Sequence, residues 1–239
     1  MDQALWVTWH DLPDEGRDAY LTWLHGTYIP RLLTRPGFLY AAHYVSANVP
    51  PSSRVHHTDD PTVPTGNTYI LIFGGETAHA FANPARRTLH AELPPEDRKM
   101  LAMRIGERVS IFIDVARVEG PAANQREGEM ALSPAVQLGS FASGTADEEE
   151  ILEFYAQWRM PEMAKMPGCL RMREMISVAG WAKHGCLYEF VSVEELKNRF
   201  FNHEKSNPKM AAWTDSLIPK FVHAPGTPTV AQRIWPPVK

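Results

Sequence analysis

Two ionisable side chains, His43 and Glu174, occupy equivalent places in two strand-like segments that are 131 positions apart (174 − 43). Alternate side chains of a strand share a face, and a buried charge without a partner is costly. The pattern therefore fits either a cavity that admits water or ligand, or a polar core group bonded to a helix or to backbone. The apolar neighbours at two-residue steps are Leu39, Ala41 and Val45, and Leu170, Met172 and Ile176.

The residues near His43 suggest proton-transfer chemistry. His25 and Tyr28 precede it in a segment with helical periodicity, which would form the roof over the strand. Imidazole has an ordinary pKa of about 6.5, so it can remove a proton, while a phenol can stabilise an oxyanion. We therefore predict that His43, Tyr28 and His25 are catalytic. His10, at the end of the first strand, is predicted to reach the pocket mouth.

The corresponding place near Glu174 has a different character. Tyr155, Trp158 and Arg159 lie on the helix before it. An arginine close to a glutamate would hold it ionised, which is typical of a salt bridge rather than a catalytic pair. We predict that these four residues bind substrate and that the first half carries the reaction. Tyr155 equally fits ordinary helix packing.

The elements that position these residues follow a repeat. Trp23 to Ser46 and Phe154 to Ser177 share prolines, a Pro-Gly pair, a leucine and a serine at one constant offset. In the first part of the chain, periodicity predicts strands 5–10, 38–46, 69–73 and 111–118 and helices 15–33, 76–83 and 95–107. In the second part it predicts strands 135–141, 169–178, 186–192 and 230–235 and helices 147–163 and 193–203.

This order is the ferredoxin-like βαββαβ motif, present twice. Helices cover one face of each sheet, so the other faces need cover, and packing the two sheets together supplies it. We predict an α+β fold with a first ferredoxin-like half at 1–124 and a second at 125–239, packed sheet to sheet as an intrachain barrel. A loop at 48–66 and a segment at 206–227 have no counterpart in the other half.

One short signature resembles a known family. Trp23, Pro30, Pro36-Gly37-Phe38 and His43-Tyr44 resemble the helix-turn-strand signature of EthD-like proteins in the dimeric α+β barrel superfamily. Where that family usually has a histidine two positions before the helix proline, this chain has Tyr28 and Arg159. The resemblance implies small-molecule chemistry, since related proteins include cofactor-free monooxygenases, lactone isomerases, polyketide cyclases and haem enzymes.

Composition excludes several classes of partner. The 239 residues carry a net charge of −4, which indicates no basic surface for nucleic acid or anionic membrane. No apolar run reaches the roughly 18 residues of a membrane span, and the first ten residues lack an export signal. Two cysteines make no disulfide framework, so we expect a reducing, cytoplasmic location.

No cofactor or metal is expected from the motifs. The chain lacks a glycine-rich phosphate loop, a dinucleotide fingerprint and a Gly-x-Ser-x-Gly elbow. His56-His57 and Asp59-Asp60 could offer metal ligands, but they lie in a polar loop without a supporting cluster. A haem would need an axial histidine such as His43, and remains an alternative.

Three classes of function are compatible with these patterns. The first is a cofactor-independent lyase, isomerase, cyclase or monooxygenase acting on a small apolar, aromatic or polyketide-like molecule. The second is a non-catalytic carrier with the same pocket. The third is a structural protein whose halves assemble through sheet edges or exposed helices. A homodimer or larger homo-oligomer is compatible with each of them.

Overall fold

The structure is a computed structural model that describes residues 2–125 and 132–238. Within these ranges the chain forms ten strands and six α-helices. The strands are β1 (Ala4–Asp11), β2 (Phe38–Ser46), β3 (His56–His57), β4 (Tyr69–Gly75), β5 (Ile105–Glu119), β6 (Ala135–Ala142), β7 (Cys169–Ala179), β8 (His184–Phe190), β9 (Val222–His223) and β10 (Thr229–Trp235).

The helices lie between these strands along the chain. They are α1 (Arg17–Trp23, Leu24–Tyr28 and Ile29–Leu33), α2 (Arg86–Ala91), α3 (Pro95–Leu101), α4 (Glu148–Phe154, Tyr155–Arg159 and Met160–Met163), α5 (Val193–Arg199) and α6 (Pro208–Leu217). A 3-10 segment, Phe200–Ser206, continues from α5. None of the helices in the described part of the chain has the length and hydropathy that a membrane span requires.

Eight strands close into an antiparallel barrel, in the order β10-β2-β4-β1-β5-β7-β8-β6. Strand β10 pairs with both β2 and β6, which completes the ring. We expected two sheets that pack face to face, but their edges are also hydrogen-bonded to each other, through β5–β7 and β10–β2. The barrel therefore has no free edge among its eight strands, and edge pairing stabilises it along with the core.

The core has three parts. One fills the barrel interior, with Leu5, Trp9 and Phe112 among its fully buried residues. The other two lie outside the barrel, between its wall and the covering helices. Strand β1 therefore contacts apolar residues on both faces, which explains why seven of the eight residues in its sequence, ALWVTWHD, are buried. Any site between helix and sheet lies on the outside of the barrel.

Helices α1 and α4 share a widened turn at equivalent positions. Leu24–Tyr28 and Tyr155–Arg159 have π-helical hydrogen bonding, and each lies just before a proline, Pro30 or Pro161. A proline cannot donate its backbone N–H and its ring crowds the carbonyl four residues earlier, so a wider turn relieves the conflict. The widened turns carry Tyr28 and Arg159 at matching places.

Two predicted elements differ in the structure. Helix α3 ends at Leu101 rather than 107, because β5 begins at Ile105 and pairs along its length with β1 and then β7. This tertiary pairing overrides the local helical pattern. The predicted helix at 76–83 is only a 3-10 turn, Ala78–Phe81. The polar sequence at 120–129 predicts a linker, and its positions 126–129 lie outside the described residues.

A network of charged residues lies at one end of the barrel interior. Arg173 is fully buried and donates to Asp2 at 2.5 Å, and Tyr40 donates to the same carboxylate at 2.6 Å. Burial alone would raise the pKa of Asp2, but the charge of Arg173 and these hydrogen bonds outweigh it and lower the pKa below its ordinary value. Arg117 and the buried Glu189 extend the network. Ionised groups thus fill this end of the core.

Candidate active site

The structure brings together two of the three residues that the sequence predicts to be catalytic. His25 Nε2 lies 2.9 Å from Nδ1 of His43, within hydrogen-bond distance. His10 stacks on His43, with ring centroids 6.0 Å apart and planes 3° apart. His10 and His43 are fully buried, and the ring of His25 stacks on Trp235 at 5.9 Å. The row of alternate residues on β2 therefore faces α1, as expected.

Tyr28 bonds elsewhere. Its hydroxyl lies 2.7 Å from Nε2 of His90, and the guanidinium of Arg104 lies over its ring at 5.5 Å. The residue is buried, and burial raises the pKa of its phenol above the ordinary value. In the described part of the chain, Tyr28 thus hydrogen-bonds to His90 rather than to His25 or His43.

The buried histidines of this cluster are held neutral. Burial lowers the pKa of His43 well below its ordinary value, and the nearby His25 and Arg104 lower it further. Burial also lowers the pKa of His10, with Arg104 and His43 adding to the effect. Desolvation disfavours the charged imidazolium in both cases. These groups stay uncharged at neutral pH.

Stability is expected to fall as the pH drops below about 6.5, because His10 and His43 accept protons more readily in the unfolded chain than in the folded one. Their folded pKa values are lowered, so the stabilisation is complete above the unfolded pKa and is lost as the pH falls below it. Each such histidine should lower the unfolding free energy by about 1.4 kcal/mol between about pH 7.5 and pH 5.5. Urea unfolding at both pH values measures the change.

A matched pair of variants isolates the contribution of His43 to this pH dependence of stability. His43→Leu should reduce the difference in unfolding free energy between the two pH values by about 1.4 kcal/mol, since one titrating group is gone. His79→Leu, at an exposed position, is the control and should leave the difference as it is. If His43→Leu leaves the difference unchanged, His43 does not resist protonation in the folded protein.

A cavity of about 350 Å³ lies in the second part of the chain, between α4 and the outer wall of the barrel. Its floor is formed by side chains of β6, β8 and β10, and its roof by α4 and the segment 200–206. Seven phenylalanine and tyrosine residues dominate the lining: Phe141, Phe154, Tyr155, Tyr188, Phe200, Phe201 and Phe221. Of the eight predicted site residues, Tyr155 and Arg159 line this cavity.

The two segments without a counterpart in the repeat meet at this cavity. Val49–Val55 of the first insertion (48–66) lines one side, and Thr214, Ile218 and His223 of the second insertion (206–227) line another. Strands β3 and β9 pair in parallel and hold the insertions together. The sequence showed both departures from the repeat, but their meeting depends on barrel closure, which brings β2 next to β10.

Arg159 is a buried cation in the cavity wall, with 4% of its surface exposed. Nη1 lies 2.7 Å from Nε2 of His203, and Nη2 donates to Oε1 of Glu204 at 3.2 Å. The rings of Phe154 and Phe200 lie 5.0 and 5.4 Å from the guanidinium. Nε has no hydrogen-bond partner within the described residues. Arg159 can therefore donate one further hydrogen bond.

The predicted salt bridge between Arg159 and Glu174 is wrong. Arg159 forms its ion pair with Glu204, because the segment after α5 approaches the widened turn of α4. Glu174 lies on β7 opposite Ala116, and burial raises the pKa of its carboxyl to about 7. Trp158 does not line the cavity either; its ring stacks on His203, 5.6 Å away.

His203 supports Arg159 as a neutral imidazole. Its Nδ1 lies within hydrogen-bond distance of the Phe200 carbonyl, which can only accept, so the proton is on Nδ1. Nε2 is then free to accept from Arg159. Burial lowers the pKa of His203, and the charge of Arg159 lowers it further. A neutral His203 thus orients the guanidinium without repelling it.

His223 presents an unpaired imidazole nitrogen. It lines the cavity and is 5% exposed. Burial lowers its pKa to about 4, helped by His57, although backbone hydrogen bonds at His56 and Phe221 raise it in part. Nδ1 has no hydrogen-bond partner in the described ranges 2–125 and 132–238. In the tautomer with the ring proton on Nε2, Nδ1 carries a free lone pair.

Three further polar groups meet at the cavity floor. Tyr155, Cys186 and Tyr188 are hydrogen-bonded to one another, and all three line the cavity. Burial raises the pKa of both phenols and of the thiol. They are therefore neutral at pH 7 and can donate hydrogen bonds. Sequence analysis identified Tyr155 but missed Cys186, Tyr188, His203 and His223, which carry no motif.

No protein-family model matches the chain, and no curated protein matches it by sequence. Solved structures share its fold. An anthrone oxidase-like protein has a TM-score of 0.63 at 7% identity, with 98% of this chain and 91% of that protein covered. A provisionally named monooxygenase from Lactobacillus acidophilus has a TM-score of 0.56 at 12% identity, covering 98% and 94%.

A chlorite dismutase from Candidatus Nitrospira defluvii also matches, with a TM-score of 0.52 at 8% identity and coverage of 98% and 92%. The chain has the fold of the dimeric α+β barrel proteins. At these identities the likeness concerns the fold alone. In the described residues, no group of three or more His, Cys, Asp or Glu side chains is placed to hold a metal ion.

Proposed function

We propose that this protein is an enzyme that acts on a small, apolar, aromatic or polyketide-like molecule in the cavity beneath α4. The main support is one combination: an aromatic cavity lined by His223, whose Nδ1 has no hydrogen-bond partner in the described residues, and by the buried guanidinium of Arg159. Ligand pockets typically measure about 300–1,000 Å³. A volume of about 350 Å³ suits two or three fused rings better than a porphyrin.

In this proposal His223 is the general base. Its Nδ1 takes a proton from an activated carbon or a phenol of the substrate, and the electron pair left behind delocalises onto a substrate oxygen. Arg159 and the hydroxyls of Tyr155 and Tyr188 donate hydrogen bonds to that oxyanion. The anion can then regain the proton at another atom, lose a group, or react with dioxygen. No cofactor takes part in the proton transfer.

The cavity favours this set over the one centred on His43. His43, His25 and His10 bond or stack with each other, and none of them lines the cavity. We propose that they form a buried polar core under α1, while Tyr155 and Arg159 retain the substrate-binding role predicted from sequence. The phenol remains the oxyanion donor, now supplied by Tyr155 and Tyr188.

We also propose that the barrel arose from a duplicated ferredoxin-like unit, with a boundary near residue 124. The strand orders β2-β4-β1-β5 and β7-β8-β6-β10 support this, since each places the four long strands of one unit in the same order: second, third, first, fourth. The matching π-turns support it further. A cytoplasmic location is consistent with the two cysteines, Cys169 and Cys186, neither of which forms a disulfide.

Anthrone is a suitable first probe, because it is aromatic, has an acidic carbon and fits the fold likeness to an anthrone oxidase-like protein. We expect anthrone to quench tryptophan fluorescence when it binds. We also expect the enzyme to convert anthrone to anthraquinone in air, and liquid chromatography measures the product. Binding without conversion of anthrone or related phenols would indicate a carrier. Failure of all such aromatic compounds to bind would contradict the proposal.

A further inference from the structure

A chain of ion pairs links the first insertion to the buried arginine of the cavity. Arg54, on the first insertion, donates from Nη1 to Oε2 of Glu204 at 3.0 Å and to Oδ1 of Asp215 at 2.7 Å. The other oxygen of Glu204, Oε1, accepts from Arg159 at 3.2 Å. One carboxylate therefore holds both the insertion and Arg159.

The chain is partly shielded from water. The side chain of Glu204 is 17% exposed and that of Arg54 is 33% exposed, whereas Asp215 is mostly exposed at 65%. Ion pairs at such a boundary gain more than fully solvated pairs but stay weak enough to break. The hydrogen bonds and charges of Glu204 and Asp215 raise the pKa of Arg54 despite its burial. This balance suits a contact that opens and closes.

The covered segment has defined ends. It starts after Asn48, whose φ of 52° lies in the left-handed region, and it ends at β3, which pairs with β9. Pro50 and Pro51 restrict the backbone between these ends. Val49–Val55 can therefore move as a short stiff flap about Asn48 while β3 stays in place. These residues line the cavity, so their movement would open it.

We infer that Arg54 and Glu204 form a latch that closes residues 49–55 over the cavity, and that Glu204 is a positioning residue for Arg159. When the flap closes, Arg54 fixes Glu204, and Glu204 in turn fixes the guanidinium that faces the reacting anion. When it opens, Glu204 loses one of its two partners and Arg159 loses a fixed acceptor. Flap closure and assembly of the site are thus coupled. The positioning role rests on the proposed function; the latch does not.

Hydrogen exchange tests the latch without any ligand. In Arg54→Gln, the amides of Val49 and of residues 52–55 should exchange about fivefold faster than in the wild type, as expected for the loss of a weak ion-pair contact. Arg54→Lys, which keeps the charge, should restore most of the protection. Arg199→Gln is the control, because Arg199 pairs with Glu195 on the surface of α5, away from the flap. Equal exchange in Arg54→Gln and wild type would overturn the latch.

An aromatic anion provides a second measurement of opening. The fluorescent probe 1-anilinonaphthalene-8-sulfonate should enter the cavity about fivefold faster in Arg54→Gln than in wild type or Arg199→Gln. Association rates are measured by stopped-flow fluorescence. An unchanged rate in Arg54→Gln would show that the flap does not gate the cavity, whatever the true substrate is.

Kinetics test the positioning role. With a substrate that is turned over, Glu204→Gln should lower kcat about tenfold and change KM less than about twofold. The reason is that Arg159 stabilises the anion formed in the transition state more than it binds the substrate. Glu204→Asp should recover part of kcat. A change confined to KM, or an unchanged kcat, would overturn the role of Glu204. If no aromatic probe is converted, the proposed function fails, and the exchange and association results still decide the latch.

Discussion

Replacement of His223 with asparagine is expected to lower kcat for an aromatic substrate by about 10²–10⁴-fold, the usual contribution of a general base. Asparagine approximates the size of imidazole and can still donate to the backbone carbonyls, but it cannot take up a proton at neutral pH. The dissociation constant should change only a few-fold, because the aromatic lining stays in place. Turnover and fluorescence titration measure the two effects separately.

The control for this experiment is His79→Asn, at an exposed position on the other part of the barrel. It should leave kcat and the dissociation constant at their wild-type values. If His223→Asn retains full turnover while His79→Asn behaves as expected, His223 is not the base, and the proton must be removed by another group.

Replacement of Arg173 with alanine is expected to destabilise the protein by about 3–5 kcal/mol, the cost of leaving a buried charge without its partner. Arg173 is fully buried and bonds to Asp2, which is 6% exposed. Its loss would leave the carboxylates of Asp2 and Glu189 in the core with fewer cations nearby. Urea unfolding at about pH 7 measures the change.

Arg171→Ala is the matched control on the same strand. Arg171 pairs with Glu119 at 2.6 Å, but 47% of the glutamate side chain is exposed, so this pair should contribute less than about 1 kcal/mol. Similar losses in the two variants would mean that the network inside the barrel end adds no more than a surface ion pair. The larger loss should occur in Arg173→Ala.

The repeat made much of the fold predictable. Strand β2 was predicted at 38–46 and occupies Phe38–Ser46, because apolar alternation and the preceding Pro36-Gly37 mark it clearly. The closeness of His25 and His43 was also predictable, since helix and strand periodicities fix which faces meet. Local periodicity therefore predicts the helices and strands and which of their faces meet.

Contacts between distant segments could not be predicted in this way. Nothing local to Arg54 indicates that it bonds to Glu204, 150 positions later, since that contact depends on two insertions meeting. The sequence pattern singles out Glu174 in its apolar row and gives no corresponding signal for its neighbour, Arg173. Successive strand residues face opposite sides, so Arg173 points into the barrel and Glu174 away from it. Barrel closure, which no local pattern encodes, decides both cases.

A crystal structure of the protein with bound anthrone would test the central claim most directly. The account predicts the ligand in the cavity beneath α4, between the two insertions, with its oxygen within hydrogen-bond distance of Arg159 or Tyr155 and its acidic carbon near Nδ1 of His223. A ligand bound beneath α1 beside His43, with the cavity beneath α4 left empty, would contradict it.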